Sequence, residues 1–331
     1  MSVPETPLLD VKNLQVYFPF SRGSLFSPEH GSIRAVDGLT FQIREGETLG
    51  LVGESGCGKS TTARAIVGLA KPTAGTIHLQ GQSIGGLSDR AMLPYRKVVQ
   101  MVFQDPFASL NPRMTVGGII GEPMKVHRLA SGKDRKLEVL RLMELVGLNP
   151  RFLNRYPHEF SGGQRQRIGI ARALAVDPKL ILCDEPVSAL DVSIQAQIIN
   201  LMMDLQQKLG LSYLFIAHDL SVVRHIATRV GVMYLGRIVE LADAADLYAG
   251  PIHPYTEALL SAVPVPDPVL SRTRSRIMLQ GEVPSPDRHY PGCNFQERCP
   301  IAVERCLTDR PELVSIGKPS HQASCLVREN D

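Results

Sequence analysis

The sequence predicts an α/β protein centred on a parallel sheet that carries a phosphate-binding loop. Three observations carry that expectation. The stretch GESGCGKST, Gly53 to Thr61, fits the G-x-x-x-x-G-K-[ST] pattern and follows an apolar strand that ends at Val52. The runs Leu180 to Cys183 and Leu214 to Ala217 are short, rich in Leu and Ile, and end in polar residues, as strands buried on both faces of a parallel sheet do. Segments with helical periodicity alternate with these strands.

The elements follow in order. Leu8 to Phe18 alternates loosely and reads as a strand, and the polar, turn-rich segment Pro19 to Gly31 reads as an exposed loop. A second pair of strands fits Ala35 to Ile43 and Thr48 to Val52. Beyond Gln104, the run RKLEVLRLMELVGL, Arg135 to Leu148, places Leu137, Leu140, Met143 or Glu144, and Leu148 near helical spacing, which predicts a small inserted helical subdomain. Val230 to Tyr234 and Arg237 to Leu241 flank Leu235-Gly236, a tight hairpin turn. After Gly250 the composition shifts, with 11 of the 24 prolines in the last 81 residues, so a separate loop-rich appendage is expected there.

Composition sets bounds on function. A chain of 331 residues is expected to form two domains of unequal size. With 36 basic and 33 acidic residues and no long like-charge block, nothing in the charge favours nucleic acid. The start MSVPETPLLD lacks a basic and an apolar leader region, and no apolar run approaches the roughly 18 residues that span a bilayer, so a soluble cytosolic protein is expected. Six cysteines in such a chain argue for metal ligands or reduced thiols rather than disulfides.

The loop chemistry is specific. Glycines at 53, 56 and 58 let successive N–H groups wrap phosphates, Lys59 brings a point charge to the outer phosphates, and the Ser60 hydroxyl suits Mg2+. Cys57 takes a free position with no redox role. The strand Leu180 to Cys183 delivers two adjacent carboxylates at its end. Asp184 suits the Mg2+ shell, and Glu185, one position on, suits a general base that polarises the attacking water. His218 follows the strand Tyr213 to Ala217 in the same way and is expected to sense the terminal phosphate. A second anion-binding design, EFSGGQRQRIGIARAL from Glu159, sets Ser161, Gly162 and Gly163 ahead of a basic helical segment. The plainer alternative is an ordinary helix start capped by Ser161.

With Gly53 to Thr61, Gln104, Ser161 to Gln164, Leu180 to Glu185, Ser188 to Asp191 and His218 in this order, the chain resembles the ATP-binding subunit of ABC transporters over most of residues 8 to 245. The resemblance implies a P-loop NTPase (RecA-like) parallel-sheet core with an antiparallel β subdomain, and a helical subdomain at about 105–176 inserted in a nucleotide-binding domain of residues 1–250. It implies ATP with Mg2+, held by Gly53, Glu54, Ser55, Gly56, Cys57, Gly58, Lys59, Ser60 and Thr61. Gln104 looks like the residue that touches Mg2+ and the attacking water. Ser161, Gly162, Gly163 and Gln164 look like the signature, here preceded by Phe160 where the family commonly has Leu. Asp191 looks like the end of the D-loop and His218 like the switch histidine. An aromatic of the first strand stacks on adenine in this family; Phe18 fits the spacing, with Tyr17 as the alternative. Two cassettes of the family pair head to tail, so that each signature closes over the nucleotide on the other's phosphate loop.

HPYTEALLSAVPVPDP from His253 and LQGEVPSPDRHYPGCNFQERCPIA from Leu279 resemble the C-terminal extension, here 251–331, of oligopeptide and dipeptide importer ATPases. The likeness is greatest to an F subunit. It implies an energy-coupling ATPase on the cytoplasmic face of the membrane, paired with a second, non-identical ATPase on two permeases fed by an extracytoplasmic binding protein. The reading from another class is a soluble ABC ATPase acting on DNA or ribosomes. Cys293, Cys299, Cys306 and Cys325 are spaced C-x5-C-x6-C-x18-C, and four thiolates suit zinc or an iron–sulfur cluster; the spacing matches neither standard pattern. The resemblance favours a [4Fe-4S] cluster. Arg272, Arg274 and Arg276 read as a solvated linker.

Overall fold

A computed structural model of the chain describes residues 6–24, 27–263, 276–282, 284–285 and 287–329. Its strands are β1 (Leu9–Ser24), β2 (Ser27–Ile43), β3 (Thr48–Val52), β4 (Ala74–Leu79), β5 (Gln82–Ser83), β6 (Val99–Val102), β7 (Leu180–Asp184), β8 (Ser212–Ala217), β9 (Arg229–Tyr234), β10 (Arg237–Asp243), β11 (Val314–Ser315) and β12 (Gln322–Ala323). The described residues divide into two compact units. One is formed mainly by Leu87–Ile216 with Ile43–Thr48, the other by Leu9–Gln42, Leu49–Gly86 and Ala217–Asp331.

In the first unit β6, β7 and β8 are parallel, with Val99 opposite Leu180 and Leu180 opposite Ser212. Every residue of β7 and β8 is buried, which explains why both read as unbroken apolar runs. Each large aliphatic side chain so buried contributes roughly 1.5–3 kcal/mol. Between β6 and β7 lie the helices Val116–Val126, Gly132–Leu145 and Gly162–Leu174. The middle one corrects the expected apolar face. Leu137 is 56% exposed, and the buried residues are Val139, Leu142 and Met143, followed by Val146. Positions i, i+3, i+4 and i+7 make a tighter stripe than the set first read. Leu148 is buried for a different reason. Gly147 turns with φ 73°, and the N–H groups of Gly147 and Leu148 donate to the carbonyls of Glu144 (2.9 Å) and Met143 (2.8 Å), a Schellman ending that folds Leu148 back.

In the second unit an antiparallel sheet has the order β2-β1-β4-β5. Here the expected loop from Pro19 to Gly31 is overturned, because β1 continues to Ser24 and β2 starts at Ser27. Pairing between neighbouring strands satisfies the main-chain polar groups without any apolar alternation, the signal this segment lacks. β3 runs parallel to β9, and β9 pairs antiparallel with β10. Leu235 and Gly236 close that hairpin with φ values of 42° and 81°, as a two-residue turn with both centres left-handed requires. β12 adds to β10 with Ala323 opposite Glu240, and β11 adds to β12.

Glu240 is fully buried on β10, an arrangement that survives only with complete pairing. Its carboxylate accepts from the N–H groups of Ile252 (2.8 Å) and His253 (2.9 Å) and lies 2.7 Å from His321 Nε2. One carboxylate thus fastens both the turn after Gly250 and the last segment of the chain. His253 is itself buried, and its Nδ1 accepts from the Tyr255 N–H (3.1 Å), capping the helix Pro254–Ser261. Burial lowers its pKa from 6.5 to about 4, against the pull of the Glu240 charge. The unfolded chain therefore takes a proton near the ordinary value that the folded chain refuses until about 4. Stability is full above the ordinary value and falls as pH drops toward the lower one, by roughly 3 kcal/mol in all. His253→Asn keeps a capping acceptor without titrating. We expect thermal melts between pH 7 and 4 to fall less steeply for this variant than for the natural chain; equal slopes would refute the assignment.

Candidate nucleotide site

In the second unit the phosphate loop runs from the buried end of β3 into the helix Lys59–Ile66. Gly58 forms the helix N-cap with φ 105° and no side-chain cap, as suits a helix start that receives an anion. A Cβ at Gly58 would overlap the Ala35 carbonyl oxygen, so the loop tolerates only glycine there. Lys59 is buried, and its ammonium donates to the carbonyls of Gly53 (2.7 Å) and Glu54 (3.0 Å), which curls the charge under the loop. Cys57 lies 3.6 Å from it. Burial pushes the Cys57 thiol up despite that cation, in keeping with an unreactive filler. Ser55 and Gly56 are exposed at the tip, while Ser60 and Thr61 are half-buried in the first helical turn.

Glu54 is held at four atoms. Its N–H donates to the Tyr255 hydroxyl (2.9 Å), its carbonyl accepts from Lys59, and its carboxylate takes two hydrogen bonds from Arg298 (2.7 and 3.1 Å). Beneath it, Tyr234, Tyr255 and Phe295 form a buried cluster with ring centroids 4.8 to 5.5 Å apart. Nothing in the local sequence announces this grip, because its partners lie some 200 to 244 positions from Glu54. The only hint was a Glu inside the loop and an Arg between two cysteines.

The two candidate adenine stackers have different surroundings. Tyr17 donates its hydroxyl to Asp37, which also pairs with Arg237 at 2.9 Å. Burial opposes the Asp37 charge, but the Tyr17 hydroxyl and Arg237 outweigh it and hold the carboxyl below its ordinary value. Burial and the Asp37 carboxylate push the Tyr17 hydroxyl up to about 12. Phe18 is 45% exposed. His218, also in this unit, follows β8 and is exposed.

The first unit holds the remaining candidates. Asp184 is buried at the end of β7. Glu185 turns away with φ 47°, a left-handed conformation that costs about 1–3 kcal/mol for a non-glycine residue, and its N–H donates to the Ile216 carbonyl (3.0 Å). Its carboxylate accepts from Gln104 Nε2 at 2.8 Å. Ser161 caps the helix Gly162–Leu174: its hydroxyl accepts from the Gln164 N–H (3.4 Å), and Gln164 Oε1 accepts from the Ser161 N–H (3.1 Å). The plain helix-cap reading is therefore true of Ser161, and it leaves the N–H groups of Gly162 and Gly163 uncapped by side chains. A Cβ at Gly163 would stand 2.5 Å from Ile194 Cγ2, so this glycine also sets how closely the helix Val192–Leu209 packs. Phe160 is buried and meets Phe152 edge-on at 5.7 Å, which accounts for an aromatic at that position. Asp191 precedes the helix Val192–Leu209 without capping it.

Among the four C-terminal cysteines, Cys306 and Cys325 are buried and Cys293 and Cys299 half-buried. Burial pushes the Cys293 thiol up to about 11, and Cys306, Cys299 and Cys325 each push the same way, so the four share a neighbourhood. They are not drawn together as ligands: among the described residues no group of three or more His, Cys, Asp or Glu is arranged to hold a metal ion. Arg272 and Arg274 lie outside the described residues. Among those residues no helix is long and apolar enough to cross a membrane.

The ABC transporter family matches residues 36–188, and the C-terminal region of the oligopeptide/dipeptide transporter family matches residues 239–306. The oligopeptide transport ATP-binding protein AppF of Bacillus subtilis (strain 168) is 55% identical across 96% of this chain and 96% of its own length. The oligopeptide transport ATP-binding protein OppF of Salmonella typhimurium (strain LT2) is 54% identical, again across 96% of each chain. Among solved structures, the dimeric post-hydrolysis state of the ATP-binding cassette MJ0796 bound to ADP and Pi superposes with a TM-score of 0.63 and 30% identity, covering 71% of this chain and 98% of that one. A phosphate loop, a paired carboxylate strand end and a four-cysteine extension thus sit on a cassette fold, and the chain belongs to the ABC transporter family, among its oligopeptide/dipeptide ATP-binding proteins.

Proposed function

We propose that this chain is the ATP-hydrolysing, energy-coupling subunit of an importer for oligopeptides or dipeptides. The observation that carries the proposal is the 2.8 Å hydrogen bond between Gln104 and Glu185, the two residues assigned to the attacking water, at the end of the strand that presents Asp184. Glu185 accepts a proton from water as its oxygen bonds to the γ-phosphorus and the bridge to the β-phosphate breaks, giving ADP and phosphate. Gly53 to Thr61 hold the phosphates, Phe18 is the adenine stacker, and His218 reads the γ-phosphate. Ser60, Gln104 and Asp184 offer the hard oxygen donors that suit Mg2+, which supplies charge neutralisation when bound.

Ser161, Gly162, Gly163 and Gln164, with Asp191, complete the site of a facing cassette, so that ATP joins two protomers and its hydrolysis releases them. We take the facing cassette to be a second, non-identical ATPase, and both to rest on two permeases at the cytoplasmic face of the membrane, supplied by an extracytoplasmic peptide-binding protein. The names of the relatives support the peptide class. We assign the cassette to 1–250, with helices inserted at about 105–176, and the extension to 251–331.

The finer proposal is a structural [4Fe-4S] cluster on Cys293, Cys299, Cys306 and Cys325. The resemblance of the extension and the shared neighbourhood of the four thiols support it; the thiolates would have to close in on the cluster as it is inserted. One preparation tests both proposals: the chain isolated anaerobically with its native partners. We expect two permeases, a second ATPase, and iron with sulfide. Recovery with ribosomes or DNA instead would overturn the transport reading, and protein free of iron and sulfide would overturn the cluster.

A further inference from the structure

The C-terminal extension reaches into the phosphate loop. Arg298 lies between Cys293 and Cys299 on the extension, is only 7% exposed, and binds both oxygens of Glu54, the second residue of the loop. Two-pronged guanidinium–carboxylate pairs are directional and charge-assisted. Anchoring the extension does not need this one. Phe295 is buried against Tyr234 and Tyr255, Glu240 ties His253 and His321, and the Glu54 main chain is already fixed by Tyr255 and Lys59. What the guanidinium adds is charge. Glu54 places a carboxylate in a loop built to receive a polyanion, one carbonyl away from the ammonium of Lys59. Left alone, that carboxylate repels the phosphates and competes for the same cation. The guanidinium also lies over the Tyr234 ring, 5.9 Å from its centroid, which holds it in place.

We infer that Arg298 is a positioning residue of the nucleotide site: by neutralising and fixing Glu54 it lets the phosphate loop accept ATP, so the C-terminal extension sets the loop's affinity. The inference rests on the proposal that Gly53 to Thr61 bind ATP. Calorimetric titration of the full chain with Mg-ATP and Mg-ADP tests it, alongside thermal melts. Arg298→Ala is expected to weaken ATP about tenfold, and ADP less, since the repulsion grows with phosphate charge. Arg298→Lys should fall between. Adding Glu54→Gln to Arg298→Ala should restore most of the affinity although the ion pair stays broken, and Glu54→Gln alone, which leaves the Arg298 charge unopposed, should bind ATP more tightly than the natural chain.

A purely structural brace predicts otherwise: lower melting temperature, equal losses for both nucleotides, and no recovery in the double variant. That pattern, or unchanged affinity in Arg298→Ala, overturns the inference. If Arg298→Ala does not fold, Arg298→Lys and Glu54→Gln decide it by the same affinities. A natural chain that fails to bind ATP sinks the nucleotide-site reading itself, and this inference with it.

Discussion

Glu185→Gln is expected to leave ATP binding within about twofold of the natural chain and to cut turnover by at least a hundredfold, the usual weight of a general base. The amide matches the carboxylate in size and can still bond to Gln104, so the 2.8 Å contact is not the thing lost. Nor is the backbone disturbed, because the left-handed turn at residue 185 is held by the Ile216 carbonyl rather than by the side chain. Only the capacity to accept a proton disappears. With ATP bound and uncleaved, the facing cassettes should stay closed, so the variant should elute with ATP as a lasting pair of ATPases. Turnover near the natural rate would end the base assignment, while tight binding with no closed pair would separate catalysis from the half-site arrangement.

How much of this was legible beforehand follows from range in sequence. β7 and β8 are buried at every residue, so their apolar runs needed no partner to be read. Leu235-Gly236 and the phosphate loop are equally local: each demands left-handed backbone angles, which Gly236 and the loop glycines adopt freely. The strands that run into Pro19 to Gly31 are not legible because Pro19, Gly23, Pro28 and Gly31 read as turn formers, whereas β1 continues to Ser24 and β2 starts at Ser27. The helix Gly132–Leu145 is legible, and Met143 and Leu148 of its expected face are buried, but Val139 and Leu142 take the stripe in place of Leu137 and Leu140. Long-range polar pairs were invisible. Glu54 with Arg298, and Glu240 with His321, join residues 244 and 81 positions apart. No periodicity connects a charged residue to a partner at that distance. The signature shows a subtler limit: Ser161 to Gln164 was weighed as either a helix cap or an anion site, and its capping box shows that one geometry serves the cap while leaving glycine N–H groups available.

Lys59→Ala should lose nucleotide binding itself, by about a hundredfold or more for ATP, and turnover with it. The ammonium contacts phosphate before and during the reaction, so its removal costs ground and transition states alike and raises KM together with lowering kcat/KM. A second effect adds to the first. In the structure the ammonium donates to the carbonyls of Gly53 and Glu54, and it is buried. Alanine would leave those two oxygens without their donor in a loop whose shape depends on them, at a cost of about 1–3 kcal/mol each where water cannot reach. Lys59→Arg separates the two effects. It keeps the charge, but its longer, planar fork cannot repeat the ammonium's contacts to Gly53, Glu54 and Cys57, so affinity should recover little. If arginine restores binding fully, the charge alone matters and the curled geometry is incidental. If alanine binds ATP as well as lysine does, the phosphates are held elsewhere, and the loop from Gly53 to Thr61 is not the nucleotide cradle.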